Sequence, residues 1–272
     1  QVRSFSTLPH IHLSLNRQAI WDIPTFLWVP EPDSIWNEVG VLPPGGVISV
    51  NRDGQYRTFE LDVLCNLNSD PLTDDVAIDH LRSTLRDSIH KRLLSDMPVG
   101  CFLSGGLDSS IVAAMMREKI EYLDTFCVSF DNSKDPFHGV FDESASAAQF
   151  ANLIGSNHHT IKATPKTVKS ELTSIVSAAD QPFAVSSGFG VYLVGKLAQE
   201  LGIKVLLSGD CADELFGGYS WYRYLHNSAT VSSVKDTETN FSFQNVAVSE
   251  EDRARSINKF EPARRAWAWH YY

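Results

Sequence analysis

The sequence predicts an α/β fold, a parallel sheet covered by helices on both faces and preceded by a small β-containing segment. Three observations carry that expectation. Short strand-like runs recur at residues 99–103, 125–130, 158–162 and 204–207, and those that are continuously apolar match strands buried on both faces. Segments with helical spacing lie between them. Two loops rich in Gly, Ser and Asp follow the first and last of these runs, at the strand ends where parallel sheets bind ligands.

The elements follow in chain order. Residues 1–70 are rich in Trp, Pro and short apolar pieces, with few helical periods. Leu42-Pro-Pro-Gly-Gly46 is a turn, because prolines fix φ and glycines relax it. Residues 47–61 read as a hairpin with Asp53-Gly54 at its tip, and 66–72, which contain Pro71, as a linker. From Thr73 the apolar positions Val76 or Ala77, Leu81, Leu85, Ile89 and Leu93 recur at helical spacing, and Pro98 ends the segment. After the strand at 99–103 comes a Gly-rich turn, then a helix over 111–116 and the strand at 125–130. Residues 143–154 read as helix, 158–162 as strand and 165–179 as helix with Pro165 in its first turn. Residues 190–201 read as helix with Gly202 as its C-cap, and 204–207 as the last strand.

Composition narrows the function. The 272 residues carry a net charge of −10, which argues against binding nucleic acid, since a phosphate-backbone binder shows a basic stripe. No apolar run is long enough to cross a bilayer, so no membrane partner is expected. The four cysteines, Cys65, Cys101, Cys127 and Cys211, form no C-x-x-C pair. Neither a zinc site nor a disulfide framework follows from them, and a cytoplasmic location is the natural reading. The chain opens with Gln1 rather than Met, so it reads as processed, trimmed or cut from something longer.

The first loop is Ser104-Gly-Gly-Leu-Asp-Ser-Ser110. Gly105 and Gly106 let main chain approach a ligand closely. The hydroxyls and amides of Ser104, Ser109 and Ser110 can surround phosphate oxygens, and a helix N-terminus adds a field that favours an anion. Asp108 would repel phosphate directly, so its sensible role is to hold a bridging cation. The bland reading is a structural Gly-rich connection. The second loop runs Ser208-Gly-Asp-Cys-Ala-Asp-Glu214 and continues to Tyr219. Asp210, Asp213 and Glu214 suit magnesium or general-base work, or they are an ordinary acidic cap on a helix start. Two such loops at one end of one sheet favour the chemical reading.

Together the two loops resemble those of the asparagine synthetase family, in its ATP-using synthetase domain, which belongs to the PP-loop ATP pyrophosphatases of adenine nucleotide alpha hydrolase-like fold. Asp96-Met-Pro-Val-Gly100, Phe130-Asp131, Asp142-Glu-Ser144, His158-His159, Asp180-Gln-Pro182 and the 42–46 turn resemble further landmarks of that family. The resemblance covers about residues 25–224. It implies domains at 1–70 (an amidotransferase-side remnant and hairpin linker), 71–225 (the synthetase domain) and 226–272 (an atypical C-terminal segment). It implies ATP and Mg²⁺ as cofactors, with phosphates on Ser104 to Ser110 and adenine against Leu103, Val128 and Ser129, with Ser208 and Gly209 nearby. Asp108 and Asp213 would hold the metal. A small-molecule or peptide carboxylate would attack the α-phosphorus to give an acyl-adenylate, and an amine or ammonia would then displace AMP. Asp210 stands where the family commonly has a Glu proposed to act in that second step, and Asp180 either faces the substrate or is an ordinary helix-ending Asp.

Two departures are visible. The family's glutaminase half uses an N-terminal cysteine, whereas Gln1 opens this chain and no Cys precedes Cys65. A separate glutaminase domain or subunit is therefore an expected partner, and this chain alone is expected not to hydrolyse glutamine. The family's Arg-x-Pro-Phe-Leu-Asp stretch and later catalytic Lys have no match. Residues 228–249 are polar, and 262–272 form a basic aromatic end in which Arg264, Arg265 and Trp267 read first as a packed helix. These departures leave alternatives open: intramolecular amide formation, as in β-lactam synthetases and lasso-peptide cyclases, or a non-catalytic nucleotide-binding remnant. His158 and His159 read as structural, as do Tyr219, Trp221, Tyr222 and Tyr224.

Overall fold

The structure, a computed structural model, describes residues 1–61, 73–130, 142–185 and 187–219. The expectations for Cys65, the 66–72 linker, Asp131, Trp221, Tyr222, Tyr224 and residues 226–272 lie outside these. Four strands, β3 (Val99–Phe102), β4 (Asp124–Phe130), β5 (Asn157–Ala163) and β6 (Val205–Leu207), form one sheet in the order β5-β4-β3-β6. All its pairings are parallel, with Cys101 opposite both Thr125 and Leu207. The expected fold class is the one found. An antiparallel hairpin, β1 (Gly46–Val50) and β2 (Tyr56–Glu60), precedes it, as the turn chemistry predicts.

Alternation of side chains across the pleat builds two cores. On one face Cys101, Leu103 and Cys127 meet Ile89 of α2 (Asp74–Arg92), Ala113 and Met116 of α3 (Leu107–Arg117), and Ala147 and Ala151 of α4 (Ser144–Ile154). On the other, Phe126 packs with Val194 and Ala198 of α6 (Ser187–Glu200) and with Ile203. Phe126 is wholly buried, and truncating such a ring costs about 3–5 kcal/mol. Gly100 sits where the central strands close up, since a Cβ there would lie 2.9 Å from the Phe126 ring and 3.0 Å from Leu206.

Local signals set the helix ends. In α2, Asp74 and Asp75 occupy the first turn and His90, Lys91 and Arg92 the last, matching the macrodipole. In α5 (Pro165–Ala179) Thr164 accepts a hydrogen bond from the Thr167 amide at 3.1 Å, with Pro165 at the first position. Helix α3 begins at Leu107 rather than near 111, because Gly106 serves as its N-cap in extended backbone.

The first 45 residues depart most from expectation. They contain a 3₁₀ helix (Val2–Thr7) and α1 (Arg17–Phe26). Asn16 caps α1 by accepting from the Gln18 and Ala19 amides, and Ala19, Asp22 and Phe26 form its buried stripe. That spacing of three and four residues is present in the sequence but is interrupted by Pro24. No helix among the described residues is long and apolar enough to cross a membrane.

Candidate functional site

The site is assembled where β3 and β6 end. Ser104 leaves β3 and turns on Gly105, whose φ of +86° is one that residues with a Cβ avoid. Gly105 also lies against the first turn of α4: a Cβ there would fall 2.6 Å from the Ala147 nitrogen and 2.8 Å from the Ser146 Cβ. The loop is held from within by Ser109, whose buried hydroxyl accepts the Ser104 amide at 3.2 Å and lies 3.0 Å from the Ser104 hydroxyl. The Ser104 hydroxyl in turn accepts the Gly106 amide at 3.2 Å. Gly106 has only that hydroxyl within 4 Å of where its Cβ would be, so the space above it is open.

The second loop meets the first directly. A Cβ on Gly209 would lie 2.7 Å from the Ser109 nitrogen and 2.9 Å from the Asp108 Cβ. Ser208 and Gly209 are half-buried between these elements. Helix α7 (Ala212–Phe216) begins at once, with Cys211 before it at φ +74°.

The three carboxylates of this loop go to different partners. Asp210 accepts the Ser208 hydroxyl at 2.9 Å, and Glu214 accepts the Tyr219 hydroxyl at 2.9 Å. Asp213 lies against the main chain of Gly218, whose amide bonds the Asp213 carbonyl at 3.0 Å. Among the described residues no cluster of three His, Cys, Asp or Glu side chains is arranged to hold a metal ion. The donor set therefore does not fit an all-protein cage. Asp108 and Asp213 stand on the two touching loops, and an ion of the magnesium kind would need no more than one or two such carboxylates, with phosphate and water completing its shell.

Other predicted residues fall in different places. Val128 and Ser129 lie half-buried at the carboxyl end of β4, with Val128 packed on Gly190 of α6. Leu103 is 0% exposed and its amide bonds the Phe126 carbonyl at 2.8 Å, so it presents no surface to a ligand. Ser110 bonds back to the Gly106 carbonyl as an ordinary first-turn helix residue. Asp180 is not in the loop cluster: its carboxylate accepts the Val2 and Arg3 amides at 2.5 and 3.0 Å. Its burial raises the pKa, but those amides outweigh burial and hold it below the ordinary range. His158 and His159 sit at the amino end of β5, where they bond Thr125 and Asp124, away from both loops.

Sequence reasoning assigns no role to Ser146 and Ala147, the wall behind Gly105. Their signal is the run of small residues 144–148, which lets a helix press against a turn. Just before it, Asp142 accepts the Ser144 amide at 3.0 Å. Burial raises its pKa, yet its hydrogen bonds to Ser144 win and keep it depressed.

A parallel sheet with two contiguous Gly- and Asp-rich loops at its carboxyl edge defines the class, an α/β protein whose strand-ending loops stand where such sheets bind ligands. Comparison with known proteins gives the family. The sequence model of the family described as Asparagine synthase matches residues 80–270, and the chain belongs to that family. It is 32% identical over 211 residues to asparagine synthetase [glutamine-hydrolyzing] 1 of Bacillus subtilis, covering 78% of this chain and 32% of that protein. A putative glutamine-hydrolyzing asparagine synthetase of Mycobacterium tuberculosis is 30% identical over 212 residues, 77% of this chain and 31% of the relative. One from Methanocaldococcus jannaschii is 35% identical over 144 residues, 52% and 26% respectively. The chain thus spans about a third of the length of the curated relatives it matches. Among solved structures, a U34-tRNA thiolase of Methanococcus maripaludis with its 4Fe–4S cluster matches with TM-score 0.36 and 13% identity, covering 71% of this chain and 68% of that chain.

Proposed function

We propose that this chain carries the ATP-dependent half of an amide-forming ligase that activates a carboxylate as its acyl-adenylate. The observation that supports it most is the contact of the two loops, Gly209 against Asp108 and Ser109, in a chain of the asparagine synthase family. In this reading the phosphates lie on the loop Ser104 to Ser110, at the α3 N-terminus. Val128, Ser129, Ser208 and Gly209 line the nucleoside side. Bound Mg²⁺, held by Asp108 and Asp213, would neutralise charge on the phosphates.

The substrate carboxylate oxygen attacks the α-phosphorus, a new P–O bond forms, and the bond to the β-phosphate oxygen breaks to release pyrophosphate. An amine or ammonia then attacks the acyl carbon, loses a proton, and AMP leaves with the bonding pair. Asp210 is the proposed acceptor of that proton, kept at the strand end by Ser208. The synthetase domain is taken as residues 71–225. Ammonia would come from a glutaminase domain or subunit, in keeping with the glutamine-hydrolyzing names of the relatives. The free, buried Cys101 and Cys127 suit a reducing compartment such as the cytoplasm.

The test is exchange of labelled pyrophosphate into ATP, with L-aspartate first and other amino and peptide acids after it. Acid-dependent exchange is the expected result. Absence of exchange with every acid, despite bound ATP, would leave a nucleotide-binding remnant.

A further inference from the structure

We propose that Asp180 is a positioning residue: it clips the start of the chain's first helix to the loop ahead of α6, so that residues 1–41 set where α6 stands beside β4. The inference rests on the ligase reading above. Its chemistry is reciprocal capping. The Asp180 carboxylate accepts the Val2 amide at 2.5 Å and the Arg3 amide at 3.0 Å, at the N-terminus of the 3₁₀ helix. The Arg3 guanidinium donates to the Ser177 carbonyl at 2.5 Å and the Ser177 hydroxyl at 2.6 Å, at the C-terminus of α5. Each charge thus satisfies main-chain groups that a helix end leaves without partners. The Arg3–Asp180 ion pair itself is long, 3.9 Å, with Arg3 half exposed, so the amide bonds are the stronger part of the clip.

Two further anchors follow within the next residues. Gln181 accepts the Ile35 amide at 2.9 Å, and the Ala184 amide donates to the Leu27 carbonyl at 2.7 Å. Asp180 itself holds φ +67° and ψ −44°, a conformation residues with a Cβ adopt only when their surroundings enforce it. Helix α6 begins at Ser187, and its first turn brings Gly190 to within 3.1 Å of Val128, measured from where a Cβ would stand, at the strand end proposed to line the nucleotide. Both Asp180 oxygens are engaged, and its side chain is 16% exposed. It acts on the site through the loop rather than by touching substrate.

The experiment compares wild type with Asp180→Asn and Val2→Pro. Proline fits the first position of a helix and deletes one amide that Asp180 accepts, without altering Asp180. Hydrogen–deuterium exchange is followed at residues 181–191, and initial rates of pyrophosphate exchange with ATP and each acid of the panel above give KM and kcat separately. Both variants are expected to speed exchange in 181–191 by about tenfold, and to raise the KM for ATP severalfold with kcat held within about twofold. Unchanged exchange in Asp180→Asn overturns the proposal. So does a raised KM for the acid in Asp180→Asn that Val2→Pro fails to reproduce, which would make Asp180 a substrate ligand. If wild type lacks acid-dependent turnover, the ligase reading fails, and the exchange data alone still decide the clip.

Discussion

Gly209 stands so close to Ser109 that a Cβ at 209 would lie 2.7 Å from the Ser109 nitrogen. The neighbour is main chain, which cannot rotate aside as a side-chain tip can. Gly209→Ala must therefore spread the two loops. The expected outcome is a stability loss of about 1–3 kcal/mol together with a fall in ATP affinity of about tenfold or more. Thermal melting and ATP titration check both, and intact affinity would place the nucleotide elsewhere.

Gly106 offers the opposite case. Its backbone is extended, and the space beyond it holds only the Ser104 hydroxyl, 3.2 Å from where a Cβ would stand. Gly106→Val should fold, with a stability change near 1 kcal/mol for the lost glycine cap, roughly the usual N-cap range. Its side chain would fill the room proposed for phosphate, so ATP binding should fall by more than about tenfold. Unchanged affinity in a folded Gly106→Val protein removes the first loop from the nucleotide site.

Asp108 and Asp213 lie on the two touching loops, and neither is part of the core. Asp108→Asn and Asp213→Asn should each leave melting nearly unchanged and cut pyrophosphate exchange by about a hundredfold or more. The double variant should lose far less than the product of the two, because residues serving one ion act as a unit. Strict additivity would show that they share no metal.

The cysteines give a pH test. Burial pushes the Cys101 thiol up to about 12 and the Cys127 thiol up to about 11. Cys211 is exposed, so among the cysteines of the described residues iodoacetamide at pH 8 should label it and spare Cys101 and Cys127 until the protein unfolds. The sign for stability follows from proton linkage. Between pH 9 and about 11, the unfolded chain has released these thiol protons while the folded one keeps them, so stability falls as pH rises. Cys101→Ala should flatten that alkaline limb by about 1.4 kcal/mol per pH unit, measured by urea unfolding between pH 8 and 10.5. An unchanged slope refutes the assignment.

Much of the site is legible locally. Strand, Gly-rich turn and helix succeed one another within residues 99–117, and the composition of 104–110 states the turn. The start of α3 is harder to place from sequence, because Gly106 caps the helix while resembling loop. Pro24 hides helix α1, although its buried stripe is in the sequence. The family resemblance implies Leu103 beside the adenine, yet the pleat turns it into the core with Cys101.

Periodicity, turn residues and caps act over a few positions, and they suffice for the hairpin, the four strands of the sheet, the helices packed on it and the two loops. Which of these elements meet is a property of the whole fold. Strand β6 pairs with β3, Val205 beside Val99, far apart along the chain, and this alone brings Gly209 onto Asp108. Asp180 finds its partners in Val2 and Arg3, 178 and 177 positions away. Such pairings depend on strand order and on the path of the chain over the sheet. No local propensity encodes them, since the same carboxylate would satisfy a substrate ammonium or two main-chain amides equally well until the fold brings one of them within reach.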